Sequence, residues 1–164
     1  MKTLYLVGGP MGVGKTAVCQ RLKRELPNSV FLDGDWCWDA DPFQVTAETR
    51  AMALDNIRHL LGNFLRCTAY ENVIFCWVMD RQDILDSVLA GLDTSGCRVV
   101  PVSLTASKEA LTARIRADAA AGRRGPDAAE RSLARLPLYL DLNTVKIDTT
   151  SKSIPEICRE IAAL

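Results

Sequence analysis

The stretch Gly9-Pro10-Met11-Gly12-Val13-Gly14-Lys15-Thr16 sets a glycine-rich run directly before a cation and a hydroxyl. Glycines allow successive backbone N–H groups to turn inward around an anion. A lysine beside them can neutralise charge on the outer phosphates of a nucleotide, and a threonine hydroxyl can ligate a hard cation. Gly9, Gly14, Lys15 and Thr16 satisfy the spacing G-x-x-x-x-G-K-[ST]. The expected ligand is a nucleoside triphosphate with Mg²⁺. Its cradle is expected to run from Gly9 through Pro10, Met11, Gly12, Val13, Gly14, Lys15 and Thr16 to Ala17, where a helix N-terminus adds its positive dipole end.

Three other groups carry chemistry. Asp33 and Asp35 stand two residues apart in FLDGDW, followed by the aromatic run Trp36-Cys37-Trp38. Two carboxylates near a phosphate cradle can serve a metal and a reacting hydroxyl. Arg123 and Arg124 are flanked by Gly122 and Gly125, the composition of a hinged cationic turn. Arg50 and Arg58 share one helical segment, where they read equally as anion ligands or as a solvated face. His59, the single histidine, reads as structural. Trp36, Trp38 and Trp77 read as an aromatic acceptor pocket or as core.

These groups need a scaffold that gathers them. Apolar runs and helical spacings alternate along the chain: strands at 3–7, 30–32, 72–78, 98–104 and 144–147, separated by helices. Thr46 opens the long second helix. Asp80 is expected to cap the third, Ser107 the fourth, Asp127 with Glu130 the fifth, and Ser153 with Glu156 the last. Alternation of this kind predicts a parallel sheet with helices on both faces and right-handed crossovers. Ligands of such sheets bind at the carboxyl ends of the strands, where the glycine run, DGDW and MDR all fall.

With 164 residues, 48% apolar and 24% charged, the chain is expected to form one domain over 1–164. Twenty basic and twenty acidic residues cancel, so no global field draws nucleic acid or a membrane, and neither is an expected partner. No apolar run approaches the ~18 residues that a membrane span requires. Six scattered cysteines without metal-ligand spacing read as reduced structural thiols of a cytoplasmic protein. A GTPase would carry N-K-x-D, which is missing. A motor ATPase would end strand three in a carboxylate, where Trp77 stands.

On GGPMGVGKT, FLDGDW, LTASKEALTARI followed by GRRG, RLPLY and VKIDTT, the chain resembles the small P-loop kinases, in particular the branch of shikimate kinase, gluconate kinase and chloramphenicol phosphotransferase. The resemblance implies a three-layer α/β/α fold with strand order 2-3-1-4-5 and an arginine-bearing lid at about 117–130. It implies that Asp33 binds Mg²⁺ through water and that Asp35 meets the acceptor hydroxyl as base or orienter. Arg114 would lie against adenine, and Thr149 and Thr150 would pass its edge. Arg123 or Arg124 would be the lid arginine, with Arg135 facing the acceptor or the transferred phosphate and Trp36 beside the acceptor. The glycine triplet that shikimate kinases carry after strand three is absent. Trp36-Cys37-Trp38 replaces the histidine of gluconate kinases. The expected activity is ATP- and Mg²⁺-dependent phosphorylation of a small molecule or nucleotide by a monomer or homodimer. A regulator that binds ATP without turnover and a zeta-toxin-like kinase are the competing readings.

Overall fold

The computed structural model describes residues 1–164. Five strands, β1 (Lys2–Gly8), β2 (Ser29–Asp33), β3 (Asn72–Cys76), β4 (Cys97–Thr105) and β5 (Val145–Asp148), form one parallel sheet in the order β2-β3-β1-β4-β5. Helices α1 (Lys15–Glu25), α2 (Ala47–Arg66), α3 (Gln82–Ala90), α4 (Lys108–Ala120), α5 (Ala128–Arg135) and α6 (Ile154–Ala162) connect and cover it. This is the three-layer architecture expected from the alternation.

The strands are apolar on both faces because both faces are covered. In β1, Leu4 and Leu6 pack with Ile57, Leu61, Leu85 and Val88 of α2 and α3, whereas Tyr5 and Val7 pack with Val18, Leu22 and Ile161 of α1 and α6. Cys19, Cys76 and Cys158 lie buried in the second of these cores, as small hydrophobes do.

Three local readings differ from the structure. β3 ends at Cys76 rather than Val78: Trp77 N–H still donates to the Val7 carbonyl at 3.3 Å, after which the chain leaves the sheet. Asp80 does not cap α3; Arg81 holds the cap position without a side-chain bond, while Asp80 turns instead to Arg135. Asp127 forms no capping box and pairs with Arg131 at 3.1 Å. Where no cationic side chain competes for the cap residue, the sequence signal holds: Thr46, Ser107 and Ser153 each accept from the backbone N–H three residues on. No helix is long and apolar enough to cross a membrane.

Candidate active site

The loop after β1 wraps tightly before α1 begins. Gly12 and Gly14 take φ of 87° and 103°, the left-handed region that glycine alone enters without penalty. A Cβ on Gly12 would also collide with Ile115 of α4. Lys15 stands at the loop mouth, with Nζ donating to the carbonyls of Gly9 at 2.8 Å and Pro10 at 3.1 Å. An ammonium has three N–H donors, so one remains for a ligand oxygen. Burial pushes the lysine below its usual value, opposed by the nearby Cys76, Asp35 and Asp33. Those carboxylates keep a cation at this depth reasonable. Ala17 is exposed in the first turn of α1, its N–H among those at the helix entrance.

Asp33 ends β2 and is 6% exposed. Its Oδ2 accepts from the Thr16 hydroxyl at 2.7 Å and its Oδ1 from the Asp35 N–H at 3.0 Å. Hydroxyl and carboxylate thus face each other beside the cradle. No group of three His, Cys, Asp or Glu side chains could hold a metal alone. A Mg²⁺ here would therefore rely on Thr16, Asp33, water and phosphate oxygens, which suits an ion that keeps much of its hydration. The residues fit that ion.

Asp35 is the second residue of a short 3₁₀ turn, Gly34–Cys37. Its carboxyl is raised above the ordinary range by burial and by Asp33, while Lys15, the Trp77 side chain and Arg124 pull it down.

The segment after α4 is drawn together by Asp118. Arg123 NH2 lies 2.9 Å from its Oδ1 and Arg124 Nε 3.1 Å from its Oδ2, and these bonds lower the Asp118 carboxyl. The two arginines then diverge. The Arg123 side chain is 66% exposed and that of Arg124 27%, and Arg124 is the one whose charge reaches Lys15 and Asp35. Ser132 on α5 donates to the Met11 carbonyl at 2.6 Å, tying the segment to the phosphate loop.

On the far side of the cradle, Arg114 of α4 donates from NH1 to Thr149 Oγ1 at 2.9 Å and from NH2 to the Thr149 carbonyl at 2.8 Å. Thr150 accepts from Ser107 N–H at 2.8 Å and donates to Asp148 at 2.6 Å. Arg114 and Thr149 are thus bonded to each other, and Thr150, next in the chain, is bonded to Ser107 and Asp148 instead.

Arg135 lines a cleft of about 790 Å³ at the carboxyl end of β3, with NH1 bonded to Asp80 Oδ2 at 3.0 Å. Trp38 and Trp77 share that cleft. Trp36 does not line it; it stands edge-on to Phe31 at 5.1 Å and is 55% exposed. Arg50 lies in the cleft, but Arg58 and His59 lie in a groove at the opposite end of the sheet, where Arg58 donates to the Ser87 carbonyl. Ser132, which the sequence does not single out, and Asp80, expected there as a helix cap, both lie beside the site. Tyr139 is fully buried, and its hydroxyl has no hydrogen-bond partner.

Comparison with known proteins agrees with this geometry. No curated protein gives a significant sequence match. Among solved structures, the tunicamycin resistance protein of Deinococcus radiodurans superposes with a TM-score of 0.71 at 20% identity, covering 99% of this chain and 95% of that one. A gluconokinase from Sinorhizobium meliloti 1021 gives 0.69 at 21% identity, over 98% and 90%. The APS kinase of Mycobacterium tuberculosis, solved with AMPPNP and APS, gives 0.64 at 16% identity, over 99% and 96%. Residues 6–132 match the family described as AAA domain. The chain belongs to that family, and its fold is that of the small P-loop kinases.

Proposed function

We propose that the protein transfers the γ-phosphoryl group of ATP to a hydroxyl of a small-molecule or nucleotide acceptor. The observation that carries this reading is the cluster of Lys15, Thr16, Asp33, Asp35 and Arg124 at the carboxyl ends of β1 and β2. The backbone of Gly9–Thr16 cradles the phosphates, and Lys15 neutralises charge on the transferring group. Mg²⁺, held by Thr16 and by Asp33 through water, supplies further charge neutralisation when bound. Arg114, Thr149 and Thr150 flank the adenine.

The acceptor hydroxyl oxygen attacks the γ-phosphorus, its bond to the β–γ bridging oxygen breaks, and ADP leaves. The hydroxyl proton passes to Asp35, whose raised carboxyl suits that task better than an ordinary aspartate. Arg124 stabilises charge on the transferring phosphoryl group, and Arg135 faces the acceptor side. Phosphoryl transfer asks little covalent chemistry of a protein, so positioning and charge neutralisation account for most of the rate. The kinases among its structural neighbours support this class of reaction.

The test is a coupled ADP-release screen against nucleosides, nucleoside monophosphates, sugar acids and hydroxylated antibiotics, run with Lys15→Met in parallel. Acceptor-stimulated ADP release that Lys15→Met abolishes, with an unchanged melting temperature, supports the reading. Tight ATP binding with no acceptor-stimulated turnover would identify a nucleotide-binding regulator instead.

A further inference from the structure

The cleft beside Arg135 has the chemistry of an apolar pocket. Trp38, Val45, Leu54, Trp77, Ile84 and Leu138 line it. Most charges within it are already matched. Asp83 accepts from Arg81 Nε at 2.9 Å and NH2 at 2.6 Å, and Asp80 accepts from Arg135 at 3.0 Å. A ligand wanting either arginine must compete with a carboxylate that already holds it. Arg50 is the exception, a cation without an ion-pair partner. The rim is apolar too, with Val45 53% and Leu138 43% exposed, as in clefts that receive an apolar ligand.

Trp77 joins this cleft to the reacting centre. Its ring covers Gly34 so closely that a Cβ there would fall 2.5 Å from Cγ and Cδ1. Gly34 separates Asp33 from Asp35, so the Trp77 ring sits against the backbone that carries both carboxylates. The same side chain is a wall of the cleft. A flat body packed against Trp77 is thereby brought toward Asp35.

Resting on the phosphoryl-transfer reading above, we infer that the acceptor is a hydroxylated compound with an apolar, ring-bearing body rather than a polyhydroxylated sugar or sugar acid, and that Trp77 sets this preference. Ring faces suit such a body because packing aromatic surface needs few donors and excludes water from the reacting hydroxyl.

The test is binding to the full-length chain in the presence of Mg·ADP, by calorimetry, using 1-phenylethane-1,2-diol against glycerol and gluconate. The phenyl-bearing diol is expected to bind at least about tenfold more tightly than either polyol. Trp77→Leu is expected to reduce that preference to within about threefold without changing ADP affinity. Trp77→Phe, which keeps a ring at this position, is expected to retain the preference of the parent. Trp38→Ala reports on another lining residue of the cleft, with a partial loss, should Trp77→Leu fail to fold. Equal or tighter binding of glycerol or gluconate, or no preference among the probes, overturns the inference and leaves phosphoryl transfer standing. Absence of ADP release with every acceptor overturns phosphoryl transfer and leaves the binding preference readable.

Discussion

The Thr16 hydroxyl donates to the buried Asp33 carboxylate at 2.7 Å, joining the first turn of α1 to the end of β2. The bond pre-positions both groups on one side of the cradle, so an ion placed there finds them already oriented. Asp33→Asn keeps the shape and removes the charge. It is expected to raise the Mg²⁺ concentration needed for half-maximal turnover by roughly tenfold or more, while ATP binding without metal changes little. Thr16→Val should act in the same direction. The check is a Mg²⁺ titration of initial rates and of nucleotide affinity; an unaltered Mg²⁺ requirement in both variants removes Asp33 and Thr16 from the metal site.

Gly12 and Gly14 differ in why they must be glycine, and the difference can be measured. Both have positive φ, but only Gly12 faces a neighbour, the buried Ile115. Gly14→Ala meets nothing nearby and should cost about 1 kcal/mol from backbone strain alone. Gly12→Ala adds the displacement of a core side chain, and overpacking of that kind costs roughly 1–3 kcal/mol more. Chemical denaturation of the two variants should rank them Gly14 before Gly12 in stability, and the reverse order would mean that Ile115 yields freely.

The sheet and the cradle were legible because each rests on local signals: apolar runs covered on both faces, and a glycine-lysine-threonine spacing that serves one purpose. The acceptor side was far less legible. Asp80 has the type and position of a helix cap, yet Arg135, 55 residues away in the chain, holds it. Trp36 follows Asp35 directly but packs on Phe31, while Trp77, just past the end of β3, covers Gly34 beside Asp35. Ser132 anchors the phosphate loop from a distance of 121 residues, with nothing around it to mark the role. Such pairings depend on how β3, α4 and α5 converge, which no short window records. The same holds for Arg123 and Arg124, which adjacent positions cannot distinguish.

Asp35 should reveal its environment in two pH dependences. Burial and Asp33 raise its carboxyl, so the acid limb of turnover should lie above the ordinary aspartate value of about 3.9. The sign for stability follows from the same shift. A carboxylate whose folded value is raised favours folding in its protonated form, below its unfolded value. That contribution is lost as pH rises through the folded value, so the ionised group costs stability at neutral pH. Asp35→Asn is therefore expected to melt at a higher temperature than the parent at pH 7, with the gap closing as pH falls toward 4, while acceptor phosphorylation drops ~10²–10⁴-fold. A variant that melts lower at pH 7 would show that the attraction of Lys15 and the other influences that lower the carboxyl outweigh the burial of the charge.

Arg124, rather than Arg123, should be the arginine that acts on the transferring phosphoryl group. Both bond to Asp118, but the Arg123 side chain is 66% exposed, while that of Arg124 is 27% exposed and its charge reaches Lys15 and Asp35. The less exposed cation needs the smaller rearrangement to meet developing charge, so removing it should lower kcat more than ATP affinity. Arg124→Ala is expected to lose on the order of a hundredfold in kcat, in the range of other positioned transition-state donors. Arg123→Ala should stay within about threefold, because a solvent-exposed ion pair contributes little to structure. Asp118→Asn gives the third measurement. It releases both side chains from their shared carboxylate, so an intermediate loss in kcat points to Asp118 as the group that aims Arg124. Steady-state kinetics and nucleotide binding on the three variants decide the matter; a larger loss from Arg123→Ala than from Arg124→Ala reverses the assignment.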